Sequence, residues 1–204
     1  MTKIDFKKEL KHLYRPSKKA FEIVHVPEMA FLTMDGQGDP NVEPAYEEIV
    51  GTLYSVAYTI KFASKAIGKD YVVPPLEGLW WTEDMDAFSM DDKGAWQWTM
   101  MVMQPVWITE EVVEEARDEV AEKKKELSRL PDLRFETYHE GPSVQIMHVG
   151  PYDAEGPTIE RMHAFIADNG YEPAGKHHEI YLSDPRRTKP DNLKTVLRQP
   201  VRDA

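Results

Sequence analysis

The sequence predicts an α+β fold, in which two strand-helix-strand-strand units form an antiparallel sheet with helices on one face and a ligand cleft on the other. The first observation behind this prediction is that three short blocks recur in the same order in both halves of the chain. The block pairs are residues 23–26 and 146–149, 75–81 and 178–182, and 101–106 and 196–201. The second is that strand-like stretches flank one stretch of helical spacing in each half. Both predict one duplicated unit, not an array of repeats.

Length and composition bound the class of protein. A chain of 204 residues with 41% hydrophobic content suits a single domain with a sizeable core. The sequence has no run of eighteen apolar residues, no signal-peptide pattern and no cysteine. We therefore expect a cytoplasmic protein without a membrane partner, disulfides or a cysteine nucleophile.

Charge divides the chain into two parts. Residues 1–20 carry a net charge of +5, whereas residues 21–204 carry −16. An acidic body repels nucleic acid, so no nucleic-acid partner is expected. A solvated N-terminal extension explains the basic residues better than a binding arm does. The predicted domain accordingly spans residues 21–204.

The first copy, residues 21–108, begins with a strand that the pattern breaks at Pro27, because proline cannot donate to a ladder. Pro44 suits a first helical turn, and apolar residues then recur at helical spacing until Gly68. Two further strands flank an acidic loop and form a long predicted hairpin. These strands cover residues 72–81 and 95–108.

A connecting helix over residues 109–130 follows, with Thr109 as its cap and Pro131 just beyond its end. The second copy, residues 134–204, is shorter. Its predicted elements are a strand at 143–149, a helix from Pro157 to Gly170, and strands at 177–182 and 193–201. Each copy therefore has the same order of elements.

The strand at 177–182 carries the strongest chemical signal. Because side chains alternate along a strand, His177, Glu179 and Tyr181 share one face, and His178 lies on the other. The first face offers a carboxylate between an imidazole and a phenol, which we expect to line the cleft. The repeat aligns Glu77 with Glu179, so the two glutamates are expected to meet there.

Aromatic residues supply candidate walls for a ligand. All five tryptophans lie between positions 80 and 107, on the two strands of the predicted hairpin. Flat rings of this kind sandwich planar ligands and attract cations, although we expect at least two of them to be core packing. Methionines here are more often core filler than pocket lining. The candidate ligand-binding residues are Glu77, Trp80, Trp81, Trp98, Met100, Trp107 and His177.

A metal site is not predicted. The adjacent histidines His177 and His178 point to opposite faces of a strand, and the helical His-Glu-x-x-His spacing is absent. No Gly-x-Ser-x-Gly elbow accompanies the serines, which argues against a serine nucleophile. We expect no cofactor.

Several motifs resemble one known family. They are His-Val-Gly-Pro-Tyr at 148–152, His-His-Glu-Ile-Tyr-Leu-Ser-Asp at 177–184 and Thr-Val-Leu-Arg-Gln-Pro-Val at 195–201. In combination they resemble the GyrI-like small-molecule-binding proteins, whose fold also forms the drug-binding domain of certain bacterial multidrug-responsive transcription activators. The resemblance implies a duplicated fold with a carboxylate at the floor of a central cleft. In the activators this glutamate meets cationic aromatic drugs, and it maps onto Glu179.

The chain looks most similar to a stand-alone branch of that family, which hydrolyses cyclopropane-bearing DNA alkylators of the duocarmycin class. This resemblance implies xenobiotic detoxification by a cofactor-independent hydrolase. Glu179 would activate water, and Tyr181 or Tyr152 would supply a proton or stabilise the developing oxyanion. Two alternatives stay open: a non-catalytic module that sequesters cationic aromatic, multidrug-type compounds, and a gyrase-inhibitor-like protein-interaction module. A homodimer is compatible with each.

Overall fold

A computed structural model describes residues 3–82 and 93–204, so most of the predicted acidic loop lies outside the described residues. The helices are α1 (Phe6–Glu9), α2 (Lys11–Tyr14), α3 (Pro44–Ala66), α4 (Glu110–Lys123) and α5 (Gly156–Asp168). The strands are β1 (Glu22–Gln37), β2 (Leu76–Trp81), β3 (Gln97–Gln104), β4 (Arg134–Val149), β5 (Tyr171–Pro173), β6 (His177–Tyr181) and β7 (Lys194–Asp203).

The sheet closes on itself. Its strand order is β4-β1-β3-β2-β6-β7, and β4 also pairs with β7, so six antiparallel strands form a ring while β5 extends one end of β7. Each half of the ring contributes a strand, a helix and two strands in that order. The α+β class and the antiparallel sheet built from two such units are confirmed. Closure gives each of the six main strands a partner on both sides over part of its length.

The predicted break at Pro27 is wrong. Strand β1 runs straight through it, and the residues on both sides pair with β4: Val26 with Gly141 and Glu28 with His139. A proline removes only its own donor, so the flanking pairs hold a long strand together. Strand β4 likewise begins earlier than predicted and passes through Gly141, whose φ of 75° suits glycine.

The predicted long helix of the first copy matches α3. Its buried stripe includes Ile49, Leu53, Val56 and Ile60, which pack in one core cluster with residues of β1, β2 and β3. Full burial of such a side chain contributes about 1.5–3 kcal/mol. This packing fixes α3 across one face of the first half of the ring.

The connecting helix is shorter than predicted. Helix α4 begins after Thr109, whose hydroxyl accepts a hydrogen bond from the Val112 amide, and it ends at Lys123. A turn and a short 3-10 helix, Leu130–Asp132, occupy the rest of the predicted span. Residues 122–126 are all charged and the next apolar residue is Leu127, so a further helical turn there would have no apolar side chain to bury.

The expectation of a solvated N-terminal extension is wrong for α1 and α2. Leu13 and Tyr14 are buried, and Phe6 and Leu10 pack against Leu79 and other apolar side chains of the sheet. The basic residues of this segment point outward while its apolar residues cover one face of the sheet, which we call the N-terminal face. The opposite face, against which α3 and α5 pack, is the helix face. Among the described residues, no helix is both long and apolar enough to span a bilayer.

Candidate functional site

A chain of hydrogen bonds on the helix face forms the centre of the candidate site. The Trp80 indole Nε1 donates to the Tyr181 hydroxyl at 3.0 Å, and that hydroxyl donates to Glu179 Oε2 at 2.8 Å. The Glu179 side chain is 15% exposed, so solvent reaches a carboxylate that the Tyr181 hydroxyl orients. Burial, and then the charge of Glu179, raises the pKa of Tyr181 well above its ordinary value.

Gly78 makes this contact possible. It lies opposite Glu179 in the β2–β6 register, beneath the two aromatic side chains. A Cβ atom at this position would lie 2.8 Å from Trp80 Nε1 and 3.1 Å from the Tyr181 hydroxyl. The absence of a side chain at Gly78 therefore lets indole, phenol and carboxylate converge.

Phenols from three elements surround the carboxylate. The ring of Tyr152, just before α5, meets that of Tyr181 edge-on with centroids 5.7 Å apart. Tyr46 of α3 packs against Trp98, and burial followed by the charge of Glu179 raises its pKa. Residues of α3, of β6 and of the turn before α5 thus face one region. The candidate site lies between α3 and α5 on the helix face, whereas the sequence pattern predicted a cleft on the opposite face.

A second carboxyl group, Glu155, borders this site and was missed in the sequence. It lies immediately before α5 and is only 2% exposed. Burial, and then the negative charge of Glu179, raises its pKa far above the ordinary range. No local pattern marks Glu155, because its environment is created by strands and turns distant in the chain.

His177 lies on the same face as predicted, and its Nε2 is 3.7 Å from Glu179 Oε1. Burial, and then the neighbouring His163 and His178, lowers its pKa to about 3. The ring is therefore neutral near neutral pH and forms no ion pair with the carboxylate. His177 contributes shape to the floor of the site, not charge.

Glu77 does not meet Glu179, and this expectation is wrong. In the β2–β6 register Glu77 pairs with Ile180 and Gly78 pairs with Glu179, so the two glutamates lie on opposite faces of the sheet. A shift of one residue reverses the face to which a strand side chain points. Glu77 instead lies on the N-terminal face, where it is fully buried.

On the N-terminal face, two carboxylates and two cations form a buried network. His178 lies between the glutamates, with Nε2 3.0 Å from Glu77 Oε2 and Nδ1 3.0 Å from Glu140 Oε1. Arg198 Nη1 donates to Glu140 Oε2 at 3.1 Å. Burial disfavours the charge on His178, but Glu140 and Glu77 outweigh it and raise the His178 pKa to about 9. Burial likewise opposes ionisation of Glu140, but His178 and Arg198 lower its pKa to about 2.

This network also anchors the N-terminal segment. The Tyr14 hydroxyl donates to Glu77 Oε1 at 2.9 Å, and Arg198 Nη2 donates to the Leu13 carbonyl at 2.7 Å. Gln145 Nε2 donates to the His12 carbonyl at 2.6 Å. Because its charges are matched and the N-terminal segment covers it, we assign this network a structural role.

Other predicted ligand-binding residues lie away from Glu179. Trp81 is on the N-terminal face, with Lys176 Nζ 3.2 Å from its ring centroid. Trp107 donates to the Ser64 hydroxyl and packs against α1. Trp98 and Met100 are on the helix face but completely buried, so they support Trp80 and Tyr46 from below. Of the predicted tryptophans, Trp80 is the one that contacts the Glu179–Tyr181 pair among the described residues.

No group of three or more acidic or histidine side chains within residues 3–82 and 93–204 is arranged to hold a metal ion. The two adjacent histidines lie opposite Trp80 and Leu79 in the register, which puts them on different faces. The site therefore offers carboxyl, phenol and indole groups for its chemistry.

Comparison with protein families accounts for this architecture. The profile of the GyrI-like small molecule binding domain matches residues 19–202, nearly the whole chain. The chain belongs to the GyrI-like family. The resemblance inferred from the sequence motifs is confirmed.

Solved structures of proteins from Listeria innocua are closely similar to this chain. An uncharacterized conserved protein is 45% identical, covers 98% of this chain and 100% of its own, and has a TM-score of 0.91. Two proteins named hydrolases are 44% and 43% identical with the same coverage and TM-scores of 0.88 and 0.84. The EcmrR C-terminal domain, 12% identical over 91% of this chain and 98% of its own, has a TM-score of 0.57 and shows the fold alone. No curated protein matches the chain.

Proposed function

We propose that this GyrI-like protein is a hydrolase of small electrophilic xenobiotics, and that its substrates carry a cyclopropane ring conjugated to a carbonyl group. The observation that supports it most is the hydrogen-bonded series from Trp80 through Tyr181 to Glu179, which orients a partly exposed carboxylate. The hydrolase names of two Listeria innocua proteins over 40% identical agree with hydrolytic chemistry. The cyclopropane substrate rests on the resemblance of the motifs around Glu179 and Tyr152.

In this mechanism Glu179 is the general base. Its carboxylate takes a proton from a water molecule, whose oxygen attacks the ring methylene while the strained carbon–carbon bond breaks. The bonding electrons move through the conjugated system to the carbonyl oxygen. Tyr181 is a positioning residue, because its hydroxyl hydrogen is directed at Glu179 Oε2 and holds that carboxylate in one orientation.

The surrounding phenols provide the binding surface. Tyr46, Tyr152 and Tyr181 present aromatic rings around the carboxylate, a setting that accepts flat, electron-poor ligands. The raised pKa of Tyr152, about 12 through burial and then the charges of Glu155 and Glu179, keeps this hydroxyl protonated. Tyr152 can therefore donate a hydrogen bond to a bound ligand.

The second candidate function is non-catalytic sequestration of planar aromatic cations. An anionic carboxylate ringed by aromatic side chains is also a suitable cage for a cation. The two functions make different demands on Tyr181, because sequestration needs only its ring whereas hydrolysis needs its hydroxyl to orient Glu179.

A single-turnover ultraviolet assay on a spirocyclopropane dienone tests the proposal. The wild-type protein is expected to remove the dienone absorption, Glu179→Gln to slow that step by about 10²–10⁴-fold, and Tyr181→Phe to slow it less. Calorimetric titration of the same variants with N-methylacridinium measures cation binding separately. If wild type binds the cation tightly and leaves the dienone unchanged, the hydrolase proposal is wrong and sequestration replaces it.

A further inference from the structure

Glu155 is a buried acidic group of the helix face to which the hydrolytic scheme above gives no role. It is 2% exposed and lies between the short turn Tyr152–Ala154 and α5. Its Oε1 atom is completely buried and has no hydrogen-bond partner among the described residues. A carboxyl oxygen left in this condition is costly unless a ligand or a proton compensates for it.

The neighbours of Glu155 favour its neutral form. Burial has the largest effect, because it disfavours a carboxylate at this position, and the negative charge of Glu179 adds to it. The groups facing the pair are the phenols of Tyr46, Tyr152 and Tyr181, whose raised pKa values keep them uncharged, and the neutral ring of His177. The Thr195 side chain acts in the opposite direction and lowers the pKa of Glu155, but burial and the charge of Glu179 outweigh it. Two carboxyl groups in one site with different surroundings are the usual arrangement for an acid and a base.

A proton donor other than the phenols of Tyr152 and Tyr181 is needed, because Tyr181 is already committed and the Tyr152 hydroxyl, with its pKa raised to about 12, donates a hydrogen bond but is a weak acid. The Tyr181 hydroxyl accepts from Trp80 Nε1 and directs its only hydrogen at Glu179 Oε2. It therefore has no second hydrogen for a ligand oxygen. A protonated carboxyl group beside this phenol has one.

We propose that Glu155 is the neutral acid of the site, a carboxylic acid that donates its proton to the carbonyl oxygen of the ligand while Glu179 takes the proton of the attacking water. This inference rests on the proposed hydrolytic function and identifies the ligand end that Glu155 recognises as a hydrogen-bond acceptor. It predicts preference for carbonyl-bearing planar compounds over planar cations.

The proton balance is complete. Water supplies a hydroxyl group to the ring methylene and a proton to Glu179, and the carbon–carbon bond breaks. Its electron pair reaches the carbonyl oxygen, which becomes a phenol by taking the proton of Glu155. The two carboxyl groups have then exchanged protonation states, and transfer of one proton from Glu179 to Glu155 restores the site.

Infrared spectroscopy of the full-length protein tests the protonation state without any turnover. Wild type at neutral pH is expected to show the carbonyl stretch of a protonated carboxylic acid, and Glu155→Gln to lack it. The matched control is Glu160→Gln, an exposed glutamate of the helix that follows Glu155, which should keep the band. In Glu179→Gln the band should disappear at a lower pH than in wild type, because the repelling charge is gone. A wild-type spectrum without a band that depends on Glu155 overturns the proposal.

An unreactive ketone tests the donor role. Bound fluorenone should show its carbonyl stretch shifted to lower frequency in wild type and Glu160→Gln, and shifted less in Glu155→Gln, whose amide is a weaker donor. An identical shift in all three proteins overturns the proposal. Circular dichroism and calorimetric affinity confirm that Glu155→Gln is folded and binds the probe.

Turnover separates this inference from the proposed function. Glu155→Gln should lower the single-turnover rate on the dienone by about 10²–10⁴-fold with little change in affinity. If both infrared signals are present but wild type does not consume the dienone, the hydrolase proposal fails and the donor role of Glu155 stands. If wild type consumes the dienone and Glu155→Gln does so equally fast, Glu155 is not the acid and the hydrolase proposal stands.

Discussion

The two faces of β6 carry acidic clusters of opposite character, although His178 and Glu179 are adjacent in the chain. On the N-terminal face, Glu77 and Glu140 are buried with His178 and Arg198, so positive and negative charges match. On the helix face, Glu179 and Glu155 lie among phenols, and the charge of Glu179 disfavours a charge on Glu155. A carboxylate matched by buried cations stabilises the fold. A buried carboxyl group that lies beside another carboxylate is instead available for chemistry.

The largest expected effect tests the structural half of this comparison. Glu140→Gln removes one carboxylate from His178 and Arg198 and leaves buried positive charge in excess. The free energy of unfolding should fall by about 3–5 kcal/mol. Urea denaturation followed by tryptophan fluorescence measures this change.

Two control variants make the result specific. Glu136→Gln changes an exposed glutamate on the same strand, which accepts a hydrogen bond from Thr33, and should cost less than about 1 kcal/mol. Glu179→Gln should also leave stability nearly unchanged, since glutamine keeps a side-chain oxygen that can accept the Tyr181 hydrogen bond. A destabilisation by Glu179→Gln as large as that of Glu140→Gln would show that both faces are structural.

The pH dependence of stability sharpens the same comparison. The His178 pKa is raised from 6.5 to about 9, so its contribution is complete below 6.5 and is lost as the pH rises through 9. The Glu140 pKa is lowered from 4.5 to about 2, so its contribution is complete above 4.5 and is lost as the pH falls through 2. The network should therefore stabilise the protein most between pH 4.5 and pH 6.5, where both contributions are complete.

The measurement is the difference in unfolding free energy between wild type and Glu140→Gln as a function of pH. That difference should narrow as the pH rises from 6.5 towards 9, because His178 loses its charge in wild type. A difference that stays constant over this range would mean that His178 is not a charged partner of Glu140.

Sequence patterns predicted the elements better than their faces. The 3.6-residue spacing of apolar residues after Pro44 predicted α3, because the residues that form the buried stripe of a helix lie close together in the chain. The N-terminal segment was misjudged because its lysines dominate its composition, although Leu10, Leu13 and Tyr14 have the spacing of one helical face. That spacing was the signal available for its packing.

The site was predicted only where one strand determines it. Period-two alternation correctly put Glu179 and Tyr181 on one face, because both lie on β6. The position of Glu77 depended on the register between β2 and β6, and an error of one residue moved it to the wrong face. Glu155 could not be found at all, since burial against strands far away in the chain determines its chemistry.

The smallest expected effect distinguishes the two faces with neighbouring tryptophans of β2. Trp80→Phe removes the donor to the Tyr181 hydroxyl and should lower the kcat/KM on the dienone about tenfold, equivalent to about 1.4 kcal/mol. Trp81→Phe removes a hydrogen bond to Gln97 and makes the ring beneath Lys176 smaller, both away from Glu179, and should change kcat/KM less than about twofold. Equal losses in the two variants would indicate that ligands contact both faces of the sheet. A loss confined to Trp80→Phe places the chemistry on the helix face, because the two side chains differ chiefly in the direction in which β2 points them.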